Sequence, residues 1–171
     1  MSSLLFTLVL GIACKKTGVV EQNDVIQNTS DVTEKKLATQ IPKEVLDMSR
    51  NFQKVFFEVD QSTLNDASRE ALKENAEIMN NFSSIRIEIQ GHADERGTTE
   101  YNLALGQRRA QAVSDYFLSQ GIAPSRLKIV SYGEERPLDG TSTERAYSQN
   151  RRCEFVIVFG ADVGVKGSSD K

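Results

Sequence analysis

The chain is poor in the residues that build most catalytic and metal centres. Its 171 residues include one histidine, His92, and two cysteines, Cys14 and Cys153. His92 alone would have to supply any Ser–His or Cys–His base, and no G-x-S-x-G elbow is present. The cysteines make neither a C-x-x-C pair nor a disulfide framework. The stretch HADE offers His92, Asp94 and Glu95 to a metal, but the two acids are adjacent and a transition-metal site wants more nitrogen or sulfur. Positive charge is not in excess either. With 21 Lys and Arg against 24 Asp and Glu the net charge is -3, which argues against a general nucleic-acid binder. The apolar run from Leu4 to Ala13 is also short: ten helical residues rise about 15 Å, roughly half a bilayer's hydrocarbon core. What remains is 39% hydrophobic and 26% charged, ordinary for one globular domain with a real core.

The short apolar run suits the core of a secretory signal, here residues 1–13. It stops at Ala13, followed by Cys14, Lys15 and Lys16. This resembles the lipobox of bacterial lipoproteins, which implies cleavage before Cys14 and a lipid on that cysteine. Gly11 stands where leucine is usual, with Leu10 one place further out. The alternative is an ordinary cleaved signal. Residues 14–51 are rich in Asn, Asp, Thr, Gln and Lys with scattered valines, too little apolar surface to offset ordering entropy, and read as a tether. As a coil of about 37 residues its root-mean-square reach is roughly 35 Å. IPKEVLDMSRNF adds a short helix near its end, opening at Pro42.

From residue 52 to 160 strand and helix patterns alternate. KVFFEV is a strand by composition. TLNDASREALKENAEIMNNF is helical, with Leu64, Ala67, Ala71, Ile78 and Phe82 as its apolar stripe. IRIEIQ alternates cleanly, Ile85, Ile87 and Ile89 to one side. YNLALGQRRAQAVSDYFLSQG carries Leu103, Gly106, Ala110, Val113 and Phe117 on one face and Gly121 as a stop. RLKIVSYG is a third strand, TERAYSQNR a short helix, and CEFVIVF a fourth strand facing Cys153, Phe155, Ile157 and Phe159 inward. The order predicts an α+β fold, a two-layer βαβαβ(α)β sandwich with helices packed on one face of a mixed sheet. Right-handed crossovers make strands one and two, and two and three, parallel within it. Residues 161–171 read as a disordered tail.

The most charged and glycine-rich stretch, IEIQGHADERGTTEYNLALGQRRAQAV, joins the second strand to the second long helix. Its loop therefore sits at a strand's carboxyl end and a helix's amino end, where free N–H groups and the positive dipole end favour a carboxylate. Gly91 and Gly97 permit tight turns. Asn102 and Arg109 are seven residues apart and share a helix face, with Arg109 aimed toward the rim that presents Asp94. A carboxylate and a guanidinium on facing walls match a zwitterion, one taking its ammonium and the other its carboxylate. The alternative is an ion pair between Asp94 and Arg109 alone. His92 reads as a structural loop residue hydrogen-bonded to backbone.

IQGHADERGTTEYNLALGQRRAQAV, with IVSYGEERP and AYSQNRRCEFVI after it, resembles the OmpA C-terminal-like family, closest to its lipid-anchored, wall-binding branch. The resemblance covers roughly Lys54 to Phe159 and implies the sandwich just described. It implies non-covalent binding of the peptide stem of peptidoglycan, chiefly its diaminopimelate residue, with no catalysis and no cofactor. By motif position, the family's ligand-binding aspartate falls on Asp94, its arginine on Arg109, its asparagine on Asn102, a second arginine on Arg151 and a polar residue after the first strand on Asp60. Ala93 stands where relatives often have threonine, and Cys153 where an aliphatic residue is common. The implied partners are the cell wall, TolB and other Tol proteins, and the outer membrane through the Cys14 lipid, with the domain facing the periplasm. Two other readings stay open: a periplasmic hydrolase using Asp94 or Glu95, and a wall-binding domain of another system such as a flagellar stator.

Overall fold

A computed structural model describes residues 43–159 and 163–167. The proposed signal, Cys14, Pro42 and most of the tether lie outside the described residues. The elements are α1 (Lys43–Ser49), β1 (Val55–Phe56), α2 (Asp66–Asn81), β2 (Arg86–His92), α3 (Thr99–Ser119), a 3-10 turn (Pro124–Arg126), β3 (Leu127–Gly133), α4 (Glu144–Asn150), β4 (Arg152–Phe159) and β5 (Val163–Lys166).

The sheet runs β1-β4-β2-β3. β2 pairs parallel with β3 and antiparallel with β4, which also pairs antiparallel with β1. β1 and β2 thus run the same way, as expected, but β4 lies between them. β4 has β2 along one edge, while β1 and β5 share the other: β1 meets Arg152 and Cys153, and β5 meets Val156 to Phe159.

Alternation decides what faces inward. Ile85, Ile87 and Ile89, then Cys153, Phe155 and Ile157, are at most 1% exposed and pack with Ala110, Val113 and Phe117 of α3. Phe155 meets both Phe52 and Phe117 edge to face, with ring centroids 5.2 and 5.9 Å apart. Each long helix starts on a side-chain cap: Asn65 accepts from the Ser68 N–H at 2.8 Å and Thr98 from the Tyr101 N–H at 3.2 Å.

Four expectations need correction. The tether does not run to residue 51, because α1 buries Val45 and Met48 in the core cluster. The tail is not uniformly outside the fold, because 163–166 form β5, and the Gly167 N–H donates to the Phe155 carbonyl at 2.8 Å. Of the expected α2 stripe Leu64 is buried, Ala71, Ile78 and Phe82 are partly buried against the core and Ala67 is exposed, while the fully buried face is Ser68, Leu72, Asn75, Ala76 and Met79. Two of these are polar for a reason. β1 is only two residues long, so side chains complete its neighbourhood. The Asn75 amide grips the Gln53 backbone on both N–H and carbonyl at 2.8 Å, and Ser68 Oγ donates to the Phe56 carbonyl at 2.9 Å. Finally, Gly91 serves close packing and not a turn. A Cβ there would fall 2.0 Å from the Gly106 carbonyl oxygen, so β2 and α3 meet backbone to backbone. That contact seats the start of α3 over the carboxyl ends of β2 and β3.

Candidate functional site

At those strand ends a cleft of about 290 Å³ opens, bounded by Val59, Asp60, Asp94, Arg96, Gly97, Tyr101, Asn102, Leu105, Arg109 and Arg151. All five residues singled out from the sequence, Asp94, Arg109, Asn102, Arg151 and Asp60, therefore line one cleft. Their individual roles differ.

Arg109 forms part of the floor and not the rim. It is 0% exposed, lies over the Phe57 ring at 5.2 Å, and donates to three backbone carbonyls: Nε to Gln61 at 2.8 Å, Nη1 to His92 at 2.8 Å and Nη2 to Glu58 at 3.1 Å. Its planar fork joins the β1 exit to the end of β2, a task a lysine ammonium cannot copy. Burial brings its pKa down to about 10, against the pull of Asp94, so it stays cationic at neutral pH. Of five N–H donors, three serve the backbone.

Asp94 is 7% exposed. Its Oδ1 accepts from the Arg96 backbone N–H at 3.1 Å and Arg96 Nε at 3.2 Å. Its Oδ2 accepts from Arg96 Nη2 at 2.7 Å and Arg151 Nη1 at 3.2 Å. Burial works to raise this carboxyl, but the hydrogen bonds from Arg96 and Arg151 prevail and hold it below the ordinary aspartate range. No direct Asp94–Arg109 pair forms; Asp94 pairs with Arg96 and Arg151 instead. Arg151 is itself fixed, with Nε on the Phe57 carbonyl at 3.1 Å and Nη1 also on Glu144 at 3.2 Å.

Asn102, 1% exposed, donates to the Arg96 carbonyl at 3.2 Å and to the Glu134 carboxylate, tying α3 to the loop. Gly97, at φ 116°, makes the turn that brings that loop back onto α3. Asp60 is exposed, adopts φ 57° and accepts from the Tyr101 hydroxyl. The sequence reading passed over Arg96 and Tyr101. Arg96 sat in view within HADER, but only the loop's shape shows that it folds back two residues onto Asp94.

His92 is not bonded to backbone. It is 1% exposed, stacked on Tyr132 with ring centroids 5.6 Å apart, and neither ring nitrogen has a hydrogen-bond partner among the described residues. Burial, reinforced by Arg152, pushes its pKa down to about 3, so the ring is neutral. Glu95 accepts from Ser142 Oγ at 2.7 Å and the Tyr147 hydroxyl at 2.8 Å, a brace from its loop to α4 and the residues just before it. Among the described residues no group of three His, Cys, Asp or Glu could hold a metal, and no helix is long and apolar enough to cross a membrane.

An α+β sandwich whose strand ends hold paired charges around an open cleft is suited to bind a charged ligand. The OmpA family profile matches residues 56–151, and the chain belongs to the OmpA family. It is 39% identical over 146 residues to the peptidoglycan-associated lipoprotein of Mesorhizobium japonicum, covering 85% of this chain and 82% of the relative. With the protein of the same name from Pseudomonas aeruginosa it shares 46% over 100 residues, 58% of this chain and 59% of the relative. The crystal structure of the peptidoglycan-associated lipoprotein from Burkholderia pseudomallei superposes with a TM-score of 0.60 at 37% identity, over 62% of this chain and 90% of that one. The C-terminal domain of Helicobacter pylori MotB gives the same TM-score at 21% identity, over 64% and 86%, a likeness of fold alone.

Proposed function

We propose that the protein is an outer-membrane lipoprotein that faces the periplasm and holds that membrane to the cell wall by binding the peptide stem of peptidoglycan, without chemistry. The observation that carries this is the cleft at the ends of β2 and β3, where buried Asp94 and Arg109 line one space. The names of the relatives support it. Asp94 takes the ammonium of the stem's diamino acid, diaminopimelate in this reading. Arg109 offers its carboxylate the N–H groups not bonded to backbone. Arg151 holds Asp94 in place, Asn102 holds the loop, and Asp60 with Tyr101 forms the outer wall. The hydrolase reading is weaker, because Glu95 is engaged by Ser142 and Tyr147 and Asp94 is held ionised between two arginines.

In the same reading residues 1–13 are a signal, Cys14 carries the lipid, and the chain before α1 is the tether. TolB, the Tol-system partner, docks over the rim formed by Asp60 and the 92–97 loop, so stem peptide and TolB compete. Calorimetric titration of the folded domain with a diaminopimelate-containing stem peptide tests the central claim. Binding in the wild type and its loss in Asp94→Asn support it; equal affinity in the two refutes it. Loss of fatty-acid labelling in Cys14→Ser tests the anchor, and titrating a TolB complex with stem peptide tests the overlap.

A further inference from the structure

We propose that Arg96 is the cleft's own competitor for its ligand: in the free protein its side chain occupies the Asp94 carboxylate, and a ligand ammonium binds by displacing it. This inference rests on the assignment of Asp94 as the ammonium site. A carboxylate offers about four acceptor positions, and here four donors fill them, three from Arg96 and one from Arg151. An incoming ammonium therefore needs one of the two arginines to leave. Arg151 cannot leave readily, because its side chain is 7% exposed and its Nε holds the Phe57 carbonyl. The Arg96 side chain is 42% exposed.

Arg96 also has somewhere to go. Its Nη1 already reaches Glu144 Oε2 at 3.2 Å, and its guanidinium carbon lies 4.5 Å from the centre of the Tyr147 ring. Rotation away from Asp94 keeps the charge between Glu144 and the ring face, a favourable cation–π position. The backbone N–H of Arg96 can stay on Oδ1, so the loop keeps its shape while two side-chain bonds are released. Charge favours exchange over simple addition of the ligand. The cleft carries Arg96, Arg109 and Arg151 against Asp60 and Asp94, one cation in excess, and an arriving ammonium replaces the guanidinium with no net change at the carboxylate. A neutral side chain cannot make that replacement. Asp94 thus supplies the preference for a free amine, and Arg96 lowers the affinity for such a stem by the cost of its own displacement.

The test compares two stem peptides, one with the free ammonium on its diamino acid and one with that amine acetylated, titrated into wild type, Arg96→Ala, Glu144→Gln and the double variant. Removing a competitor that is half in solvent should tighten free-amine binding about two- to fivefold in Arg96→Ala and leave the acetylated peptide unchanged. Glu144→Gln takes away the resting place and should weaken free-amine binding. In the Arg96→Ala background that effect should vanish, so the double-variant cycle shows coupling. Weaker or unchanged free-amine binding in Arg96→Ala overturns the proposal, since Arg96 would then be a ligand contact, a support for Asp94 or a bystander. Asp94→Asn separates this failure from a deeper one. If Asp94→Asn binds as the wild type does, the pocket assignment falls and this inference with it. If Asp94→Asn loses binding while Arg96→Ala gains none, only the competitor role falls.

Discussion

Among the described residues, two buried clusters of charge lie on this sheet, and one of them borders an open cleft. At the strand ends Asp94 meets Arg96 and Arg151 above Arg109, beside an open cleft. On the face away from the long helices, Arg152 Nε meets Glu154 Oε1 at 2.7 Å with side chains 2% and 0% exposed, and Lys166 of β5 reaches the other oxygen of Glu154. Burial tends to raise the Glu154 carboxyl, yet the bonds from Lys166 and Arg152 bring it to about 2. Arg152 also donates to the carbonyls of Asn150 and Arg136 at 3.3 and 3.2 Å. Both clusters pair arginine with carboxylate in low dielectric. They differ in where a partner can go. Each carboxylate has one half-exposed partner, Lys166 at 58% and Arg96 at 42%, but Arg96 also reaches a second carboxylate, Glu144, and Asp94 borders an open cleft. Buried charge and a half-exposed partner do not by themselves mark a binding site; a partner with a second acceptor beside an open cleft is what sets Asp94 apart.

The largest effect follows from breaking the sealed pair. Arg152→Met leaves Glu154 with Lys166 alone, and removing one member of a buried pair costs about 3–5 kcal/mol. Thermal or denaturant unfolding should show that loss, with affinity for the stem peptide within twofold of wild type. A large loss of affinity in still-folded protein would erase the distinction between the clusters.

The cleft should respond in the opposite way. Asp94→Asn keeps shape and should weaken stem-peptide binding by about 1.5–3 kcal/mol, roughly 10- to 150-fold, with a smaller change in stability. Arg109→Ala is a poorer probe, because it also leaves three backbone carbonyls without their donor, one of them buried, and should destabilise the fold. Arg109→Lys keeps charge but loses the planar fork, and should lower affinity and melting temperature together. Calorimetry on variants shown to be folded reads both quantities.

How far the sequence went depends on how local each signal was. β2 and α3 were legible because one face of each is apolar with an unbroken period, and Asp94, Asn102 and Arg109 are placed by that same segment. Arg151 and Asp60 came through the motif resemblance, and the fold does bring both to the cleft. The inward face of α2 was misread because Ser68 and Asn75 are polar and point inward to serve β1, a tertiary requirement invisible in a periodicity. β5 was missed because its four residues, VGVK, offer only two alternating valines, too short a run to signal a strand. Arg96 was missed as a participant because its partner lies two residues back, across a turn whose shape Gly97 sets.

His92 links the two clusters, since it ends β2 two residues before Asp94 and takes part of its shift from Arg152. Its pKa is lowered on folding, from 6.5 to about 3, so the unfolded chain binds the extra proton between those values. Stability is then full above about pH 6.5 and falls as pH drops toward 3. At pH 5 the loss is about 2 kcal/mol, fixed mainly by the unfolded value because the folded one lies well below. Unfolding curves at pH 7.5 and 5 should show it in the wild type, and His92→Phe should flatten it. Asp94 adds its own loss only from about pH 4 downward, where the unfolded carboxyl protonates while the folded one, held lower, stays ionised. An equal decline in His92→Phe would place the sensitivity elsewhere.

The smallest expected effect tests whether the cleft works by geometry or by general positive charge. Arg108 neighbours Arg109 in sequence but points about 100° around the helix, is exposed, and lies 5.6 Å from the Tyr101 ring at the cleft's edge. If the cleft held its ligand through an excess of nearby cations, removing Arg108 would cost affinity almost as removing a lining arginine does. That cost would shrink as salt rose, because exposed charges are screened over about 10 Å at 0.1 M ionic strength. If binding depends on groups fixed in low dielectric, Arg108→Ala removes only a rim contact worth about 0.5–1 kcal/mol to Tyr101 and no ligand bond. Affinity should then stay within about twofold of wild type, with the same salt dependence. A tenfold loss in Arg108→Ala at low salt that disappears at high salt would show that the cleft and the sealed cluster differ in field and not in exchangeable partners.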